Sequence, residues 1–293
     1  PHFEKMLYDN ALLSRSYLHA YQVTGNQFYR GVAEQTLDYI VKEMTSPEGG
    51  FYSSQDADSE GQEGKYFIWS PDEIEQILGS DDAKVIKAYY AITDEGNFDN
   101  LNILCRPKNE LDISRALGLG ETEMLDIVNK CRLKLLKKRA SRVPPNTDTK
   151  IITSWNGLML MSMASGAAIL KREDYLQVAI SNATFILTNM HAQGRLLRSY
   201  KDGEAKIKGY LEDYSCLSTA FLTLYETTFD IVWLEEATKL VDEMIRLFWN
   251  HDHEVFYDTG IDHEELLIRP RDVADSSTPC GNSMAAEILL RIG

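Results

Sequence analysis

Residues 8–44 read YDNALLSRSYLHAYQVTGNQFYRGVAEQTLDYIVKEM, and the chain returns to that pattern twice. SWNGLMLMSMASGAAILKREDYLQVAISNATFILTNM (154–190) and EDYSCLSTAFLTLYETTFDIVWLEEATKLVDEMIRLF (212–248) align with it without a gap. Tyr29, Tyr175 and Trp233 then coincide, as do Ala33, Ala179 and Ala237, and Met44, Met190 and Phe248. In the second half of each unit the apolar residues recur at helical spacing: Phe28, Val32, Ile40, Val41 and Met44 in the first, Leu234, Ala237, Val241, Met244 and Phe248 in the third. Each unit therefore predicts two helices around a short turn, with Gly25 a stop for the first helix. After each unit comes a β-like piece, GGFYSSQ, GRLLRSY or EVFYDTG, expected as a small rim hairpin.

Residues 71–140 interrupt the series. SPDEIEQILG begins with Ser70 as N-cap, Pro71 at the first helical position and Glu73 in the first turn. Further helices are expected over 82–91 and 121–140, the latter ending in Lys134, Lys137, Lys138 and Arg139, which suit the negative end of a helix dipole. A final half unit starts near STPCGNSMAAEILLRIG. Roughly nine helices in successive hairpins result, one of each pair small and apolar, the other amphipathic. That division predicts an all-α fold, an (α/α) toroid with apolar helices inside and amphipathic helices outside. A straight helical solenoid is the rival. The expected organisation is one toroid domain over 1–293, incomplete, since about twelve helices would close such a ring and both chain ends look cut.

The totals narrow the function. A formal charge of −15 argues against nucleic acid or an anionic membrane as partner, since both need a basic face. No apolar run reaches the roughly 20 residues of a membrane helix. Cys105, Cys131, Cys216 and Cys280 are scattered without a CxxC pair, which suits buried thiols in a reducing compartment, and so a cytoplasmic setting.

The chemistry is expected where polar clusters open the apolar helices: His2, Glu4, Tyr8, Asp9 and Asn10; Asp148, Thr149, Trp155 and Asn156; Glu212, Asp213 and Tyr214; Thr278, Gly281 and Asn282. Parallel inner helices would gather these at one mouth. Sugars need that mixture of acids, amides and aromatic faces. Each cluster also suits ordinary helix capping. The acidic loop QDADSEGQEGKYFIW (55–69) belongs to the first rim piece. It opens like an EF-hand, but Phe67 stands where the bidentate acid belongs, so no metal is assigned. Asp56 and Asp58 are acid–base candidates, with Asp213 and His2 as alternatives. Glu4, Asp9, Asn10, Trp155, Asn156, Tyr214 and Asn282 are expected to bind substrate, Trp155 and Tyr214 by stacking and the three amides through hydroxyls. His263 is a further proton-transfer candidate. Arg269 is expected to orient an anion or to pair with Asp262 or Glu264. Tyr66, Phe67 and Trp69 fit core packing or a ligand face. No cofactor is required.

PHFEKMLYDNA, MTSPEGGFYSSQDADSEGQEGKYFIW, TDTKIITSWNGLM, LEDYSCL and DHEELLIRPRDVADSSTPCGNS resemble the thioredoxin-domain-containing proteins related to spermatogenesis-associated protein 20. The matches run in order along almost the whole chain. The resemblance implies a six-hairpin, glycosidase-like region similar to N-acylglucosamine 2-epimerases, preceded in the family by a thioredoxin-like domain that this chain lacks. Ser154 stands where the family usually has alanine, Cys280 where it has serine, and Thr149 where an acid is common. Two readings follow from the resemblance and the residues together. One is a sugar isomerase, epimerase or glycosidase acting on a small sugar. The other is a non-catalytic module that presents a ligand to the thioredoxin-like domain of the parent chain.

Overall fold

The computed structural model describes residues 2–293. Its helices, among those residues, are α1 (Leu7–Thr24), α2 (Gln27–Glu43), α3 (Pro71–Leu78), α4 (Ser80–Tyr89), α5 (Glu110–Leu117), α6 (Glu121–Arg139), α7 (Thr153–Leu170), α8 (Glu173–Asn189), α9 (Leu211–Thr228), α10 (Ile231–Phe248) and α11 (Gly281–Ile292). The three repeats are the hairpins α1–α2, α7–α8 and α9–α10, in the register that the sequence predicts. Their turns share one conformation: Gly25, Lys171 and Phe229 are all left-handed, at φ 67°, 57° and 58°. Glycine adopts that state freely, whereas lysine and phenylalanine pay roughly 1 kcal/mol for it. The hairpin geometry therefore persists without its usual residue, held by packing of the helices on either side.

Two compact units divide the described residues, one of Lys5–Gln55 and Thr147–Gly293, the other of 2–4 and Asp56–Asn146. In the first, the inner helices stand in the row α1, α7, α9, α11, each against the next. Helix α2 backs α1, α8 backs α7, and α10 backs α9. This is an arc of the (α/α) toroid. The aligned positions explain why it packs: Ala33, Ala179 and Ala237 let each outer helix approach closely, and Met44, Met190 and Phe248 are fully buried beneath the rim. Burying such side chains supplies roughly 1.5–3 kcal/mol each.

The rim pieces are strands of different sizes. Ser54–Gln55 lies between Lys5–Met6 and Thr147–Asp148. Arg195–Lys201 pairs with Glu204–Lys208, Ile151–Ile152 and His191–Ala192. Val255–Phe256 pairs with Trp249–Asn250.

The other unit has its own core of Trp69, Ile74, Ile86, Met124, Val128 and Cys131, contributed mainly by α3, α4 and α6. Ser70 caps α3 as expected, accepting from the Glu73 N–H at 3.1 Å. The helix expected over 82–91 begins earlier, at Ser80, because Gly79 (φ 81°) ends α3 and starts α4 at once. Helix α5 escapes the sequence reading. It is a short helix whose cap, Asn109, accepts from the Asp112 N–H at 2.8 Å. Of the cysteines, Cys105 is exposed and Cys131, Cys216 and Cys280 are buried. No helix among the described residues is long and apolar enough to cross a membrane.

Candidate functional site

The row of inner helices leaves few openings. From Thr153 to Ala164 every residue of α7 is buried except Trp155. From Leu211 to Leu224 every residue of α9 is buried except Glu212. Both exceptions stand in the first helical turn, so the mouth of the row presents an indole on α7 and a carboxylate on α9. The Trp155 ring meets Tyr8 of α1 edge to face, with centroids 4.8 Å apart at 68°. Asp9 is exposed in the first turn of α1.

Beside Glu212 lies a cavity of about 250 Å³ at the N-terminal ends of α9 and α11. Tyr210, Glu212, Asp258, Asp272, Ser276, Thr278 and Cys280 line it. Glu212 is ion-paired to Arg198 at 2.6 Å, and the Arg198 guanidinium sits 4.9 Å from the Tyr210 ring centre. Asp258 behaves differently. Burial pushes its carboxyl above the usual range, and the charges of Asp272 and Glu212 add to that, against a hydrogen bond from the Asp272 main chain. One cavity thus holds a carboxylate paired to arginine and a carboxyl that burial raises above the usual range.

Asp213 adjoins this cavity but is sealed from it. Its Oδ1 accepts from the Ser154 N–H at 2.9 Å, and its Oδ2 from the Tyr210 N–H at 2.9 Å and from Arg198 at 3.2 Å. It closes the capping box of α9 and also takes one of the orphan N–H groups of α7. Burial pushes it up to about 6, against the attraction of Arg198.

The amides expected to hold hydroxyls act as clamps on the rim. Asn156 accepts from the Phe51 N–H at 2.8 Å and donates to the Phe51 carbonyl at 3.0 Å. Its remaining capacity goes to the Ile152 carbonyl and to Asn182. Asn282 treats Phe256 in the same way, at 3.0 and 3.1 Å, and also donates to the Asp272 carbonyl. Tyr214 does this for the rim piece between them: its hydroxyl accepts from the Leu196 N–H at 3.2 Å and from Arg195. The Tyr214 ring is fully buried against Phe248 and offers no stacking face. Asn10 donates to the Met6 carbonyl at 2.7 Å. Asn156, Tyr214 and Asn282 thus share one job, fastening a rim piece to the inner helix that follows it, whereas Asn10 reaches back one turn to Met6.

The acidic loop and His2 belong to the other unit. His2, Glu4, Asp56 and Asp58 are exposed there. The loop is a tight β-hairpin in which Asp58–Ser59 pairs with Gln62–Glu63 across Glu60 (φ 52°) and Gly61 (φ 74°). Two successive positive φ angles are what a two-residue hairpin turn requires. Asp56 accepts from the Asp58 N–H at 3.2 Å, an Asx-type turn. No group of His, Cys, Asp or Glu among the described residues is arranged to hold a metal ion. The aromatics that follow pack inward. Trp69 is buried under Arg142, whose guanidinium lies 4.0 Å above its ring, and Phe67 stacks on Phe3.

His263 stacks on Tyr210 and uses both ring nitrogens: Nδ1 accepts from the Gly260 N–H at 2.9 Å, and Nε2 lies 3.3 Å from the Lys208 carbonyl. Asp262 pairs with Arg195 at 2.9 Å, while Arg269 donates to the Thr259 carbonyl and covers Tyr257. Asp258 and Asp272 were not legible as site residues. Asp258 stands in the third rim piece, where the other two pieces carry Ser53 and Arg198 and no acid recurs, and Asp272 stands in the long loop after it, outside the repeats.

No protein-family model matches the chain. Human spermatogenesis-associated protein 20 is 32% identical over 331 residues, covering 100% of this chain and 42% of that protein. The mouse protein of the same name is 32% identical over 329 residues with the same coverage. An uncharacterized Caenorhabditis elegans protein is 27% identical over 327 residues, covering 100% of this chain and 44% of its own length. Among solved structures, a cellobiose 2-epimerase from Bacillus thermoamylovorans superposes with a TM-score of 0.53 at 9% identity, over 88% of this chain and 48% of that one. A polysaccharide lyase gives 0.51 at 12% identity, over 98% and 60%. Likeness at that identity speaks for fold alone. The chain spans about two fifths of the length of the curated relatives it matches, is similar along its whole length to that part of spermatogenesis-associated protein 20, and has the six-hairpin glycosidase-like (α/α) fold.

Proposed function

We propose that the chain is a carbohydrate-active module of the sugar epimerase, isomerase or glycoside hydrolase type, with the cavity between α9 and α11 as its reacting centre. The observation that carries this reading is the contrast inside that cavity between Asp258, raised by burial, and Glu212, paired to Arg198. Proton transfer on a sugar needs one group that arrives protonated and one that arrives charged. Asp258 is the donor in this scheme and Glu212 the acceptor. The hydroxyls of Tyr210, Ser276 and Thr278 line the same space and suit the polar edge of a sugar. That a cellobiose 2-epimerase and a polysaccharide lyase share the fold supports sugar as the ligand class. In this reading residues 1–293 act as one (α/α) domain of a longer protein.

The test is proton NMR in heavy water with a panel of mono- and disaccharides. Loss of the C2 proton signal means proton abstraction, and new anomeric signals mean glycoside cleavage. Either should vanish in Asp258→Asn at unchanged melting temperature. Unchanged spectra across the panel would sink the catalytic reading.

One observation favours a second reading. Asp213, Asn156 and Asn282 are wholly engaged as caps and clamps, as in a mouth built to hold shape. The module would then bind a ligand without turning it over and present it to a thioredoxin-like domain of the parent protein. Saturable binding with silent spectra is its signature.

A further inference from the structure

We propose that the mouth takes a chain of neutral sugars, an oligosaccharide with one end in the Glu212–Asp258 cavity and a later sugar unit lying on Trp155 and Tyr8. The proposal rests on the sugar reading above and adds to it the length and charge of the ligand.

Length comes from the row of inner helices. The cavity lies at the ends of α9 and α11, and the aromatic pair at the ends of α7 and α1. Packed helices stand roughly 8–10 Å apart, so one spacing separates Glu212 on α9 from Trp155 on α7 and a second reaches Tyr8 on α1, a span of roughly two to four pyranose rings. The indole is also the sole residue of α7 between Thr153 and Ala164 that solvent reaches. A large aromatic left half-wet on an otherwise sealed helix end combines an apolar face with access, which is what stacking on the C–H face of a sugar needs. Packing on Tyr8 accounts for only part of that ring, since the contact is edge to face.

Charge comes from the lining. Glu212, Asp258 and Asp272 all face the cavity. Arg198 is already matched by Glu212 at 2.6 Å and Asp213 at 3.2 Å. The described residues that line the cavity include no lysine or arginine, so a uronate or a sugar phosphate would find no unmatched cation there.

The experiment is titration calorimetry of the full chain with cello-, malto- and chito-oligosaccharides, from the monosaccharide to the pentasaccharide. In at least one series, affinity should climb about tenfold or more between monosaccharide and tetrasaccharide, in keeping with one good aromatic contact. Trp155→Ala should abolish the climb while leaving monosaccharide affinity in place, and Trp155→Phe should keep most of it. Glu212→Gln should weaken all lengths alike. Equal affinity for monosaccharide and tetrasaccharide overturns the extended site but leaves the sugar reading standing. Binding of no member of any series overturns both. Equal loss for short and long ligands in Trp155→Ala, at an unchanged melting temperature, puts Trp155 beside the cavity and also overturns the proposal. Tighter binding of oligogalacturonate than of every neutral series refutes the charge argument.

Discussion

Asp213 gives the sharpest test of how this mouth is built. Its carboxylate is fully buried, yet it accepts two main-chain N–H bonds and one from Arg198. Burial dominates and pushes it up to about 6, from 3.8 in the unfolded chain. The sign follows from linkage: with the folded value raised, the group favours the native state most below about pH 4, and that contribution is lost as pH climbs through about 6. Between about pH 4.5 and pH 7.5 the loss comes to about 2 kcal/mol. Asp213→Asn keeps the shape and one acceptor but turns an amide N–H₂ toward the other main-chain donor, at a cost of about 1–3 kcal/mol that does not depend on pH. The variant should therefore be clearly less stable than the parent at about pH 4.5 and should recover about 2 kcal/mol of that deficit at about pH 7.5. Urea unfolding followed by circular dichroism at both pH values measures this. A deficit that is the same at both would refute the argument, since the buried carboxyl would then carry no penalty for its charge.

Three further outcomes follow from the same geometry. Asn156→Ala removes both bonds to Phe51 together with those to Ile152 and Asn182, and should cost about 3 kcal/mol in thermal unfolding, with the rim strand losing amide-exchange protection first. Gly157→Ala places a Cβ 2.9 Å from the Cys216 carbonyl carbon, where α7 and α9 touch backbone to backbone, so it should destabilise by roughly 2 kcal/mol or more despite alanine's better helix propensity. With the cavity as reacting centre, Asp58→Ala should leave turnover and melting temperature unchanged while Asp258→Asn loses turnover. The reverse pattern would move the acid–base pair to the acidic hairpin.

What the sequence determined by itself is the repeat. Alignment of 8–44 with 154–190 and 212–248 fixed helices, turns and register, because side chains that recur at helical spacing can be buried only one way. The capping of α3 was equally local: Ser70, Pro71 and Glu73 act within one turn. The acidic loop reads in sequence as part of the first rim piece, but the fold makes it a hairpin of the other unit. Helix α5 was lost because eight residues with one cap give too little periodicity to register.

The roles of the polar residues needed the tertiary structure. Asn156, Tyr214 and Asn282 look like a ligand-binding set in sequence because each falls in the first turn of an inner helix. Their partners, Phe51, Leu196 and Phe256, come from the rim strands, and a clamp differs from a ligand group only in what it touches. Asp213 and Glu212 are neighbours in sequence, yet one is sealed into a double cap and the other faces the cavity. One step along a helix turns a side chain by about 100°, which carries Asp213 onto the Ser154 N–H of α7 and leaves Glu212 at the cavity. Asp258 owes its raised carboxyl first to burial and then to the charges of Asp272 and Glu212, which only the folded chain brings to the same cavity.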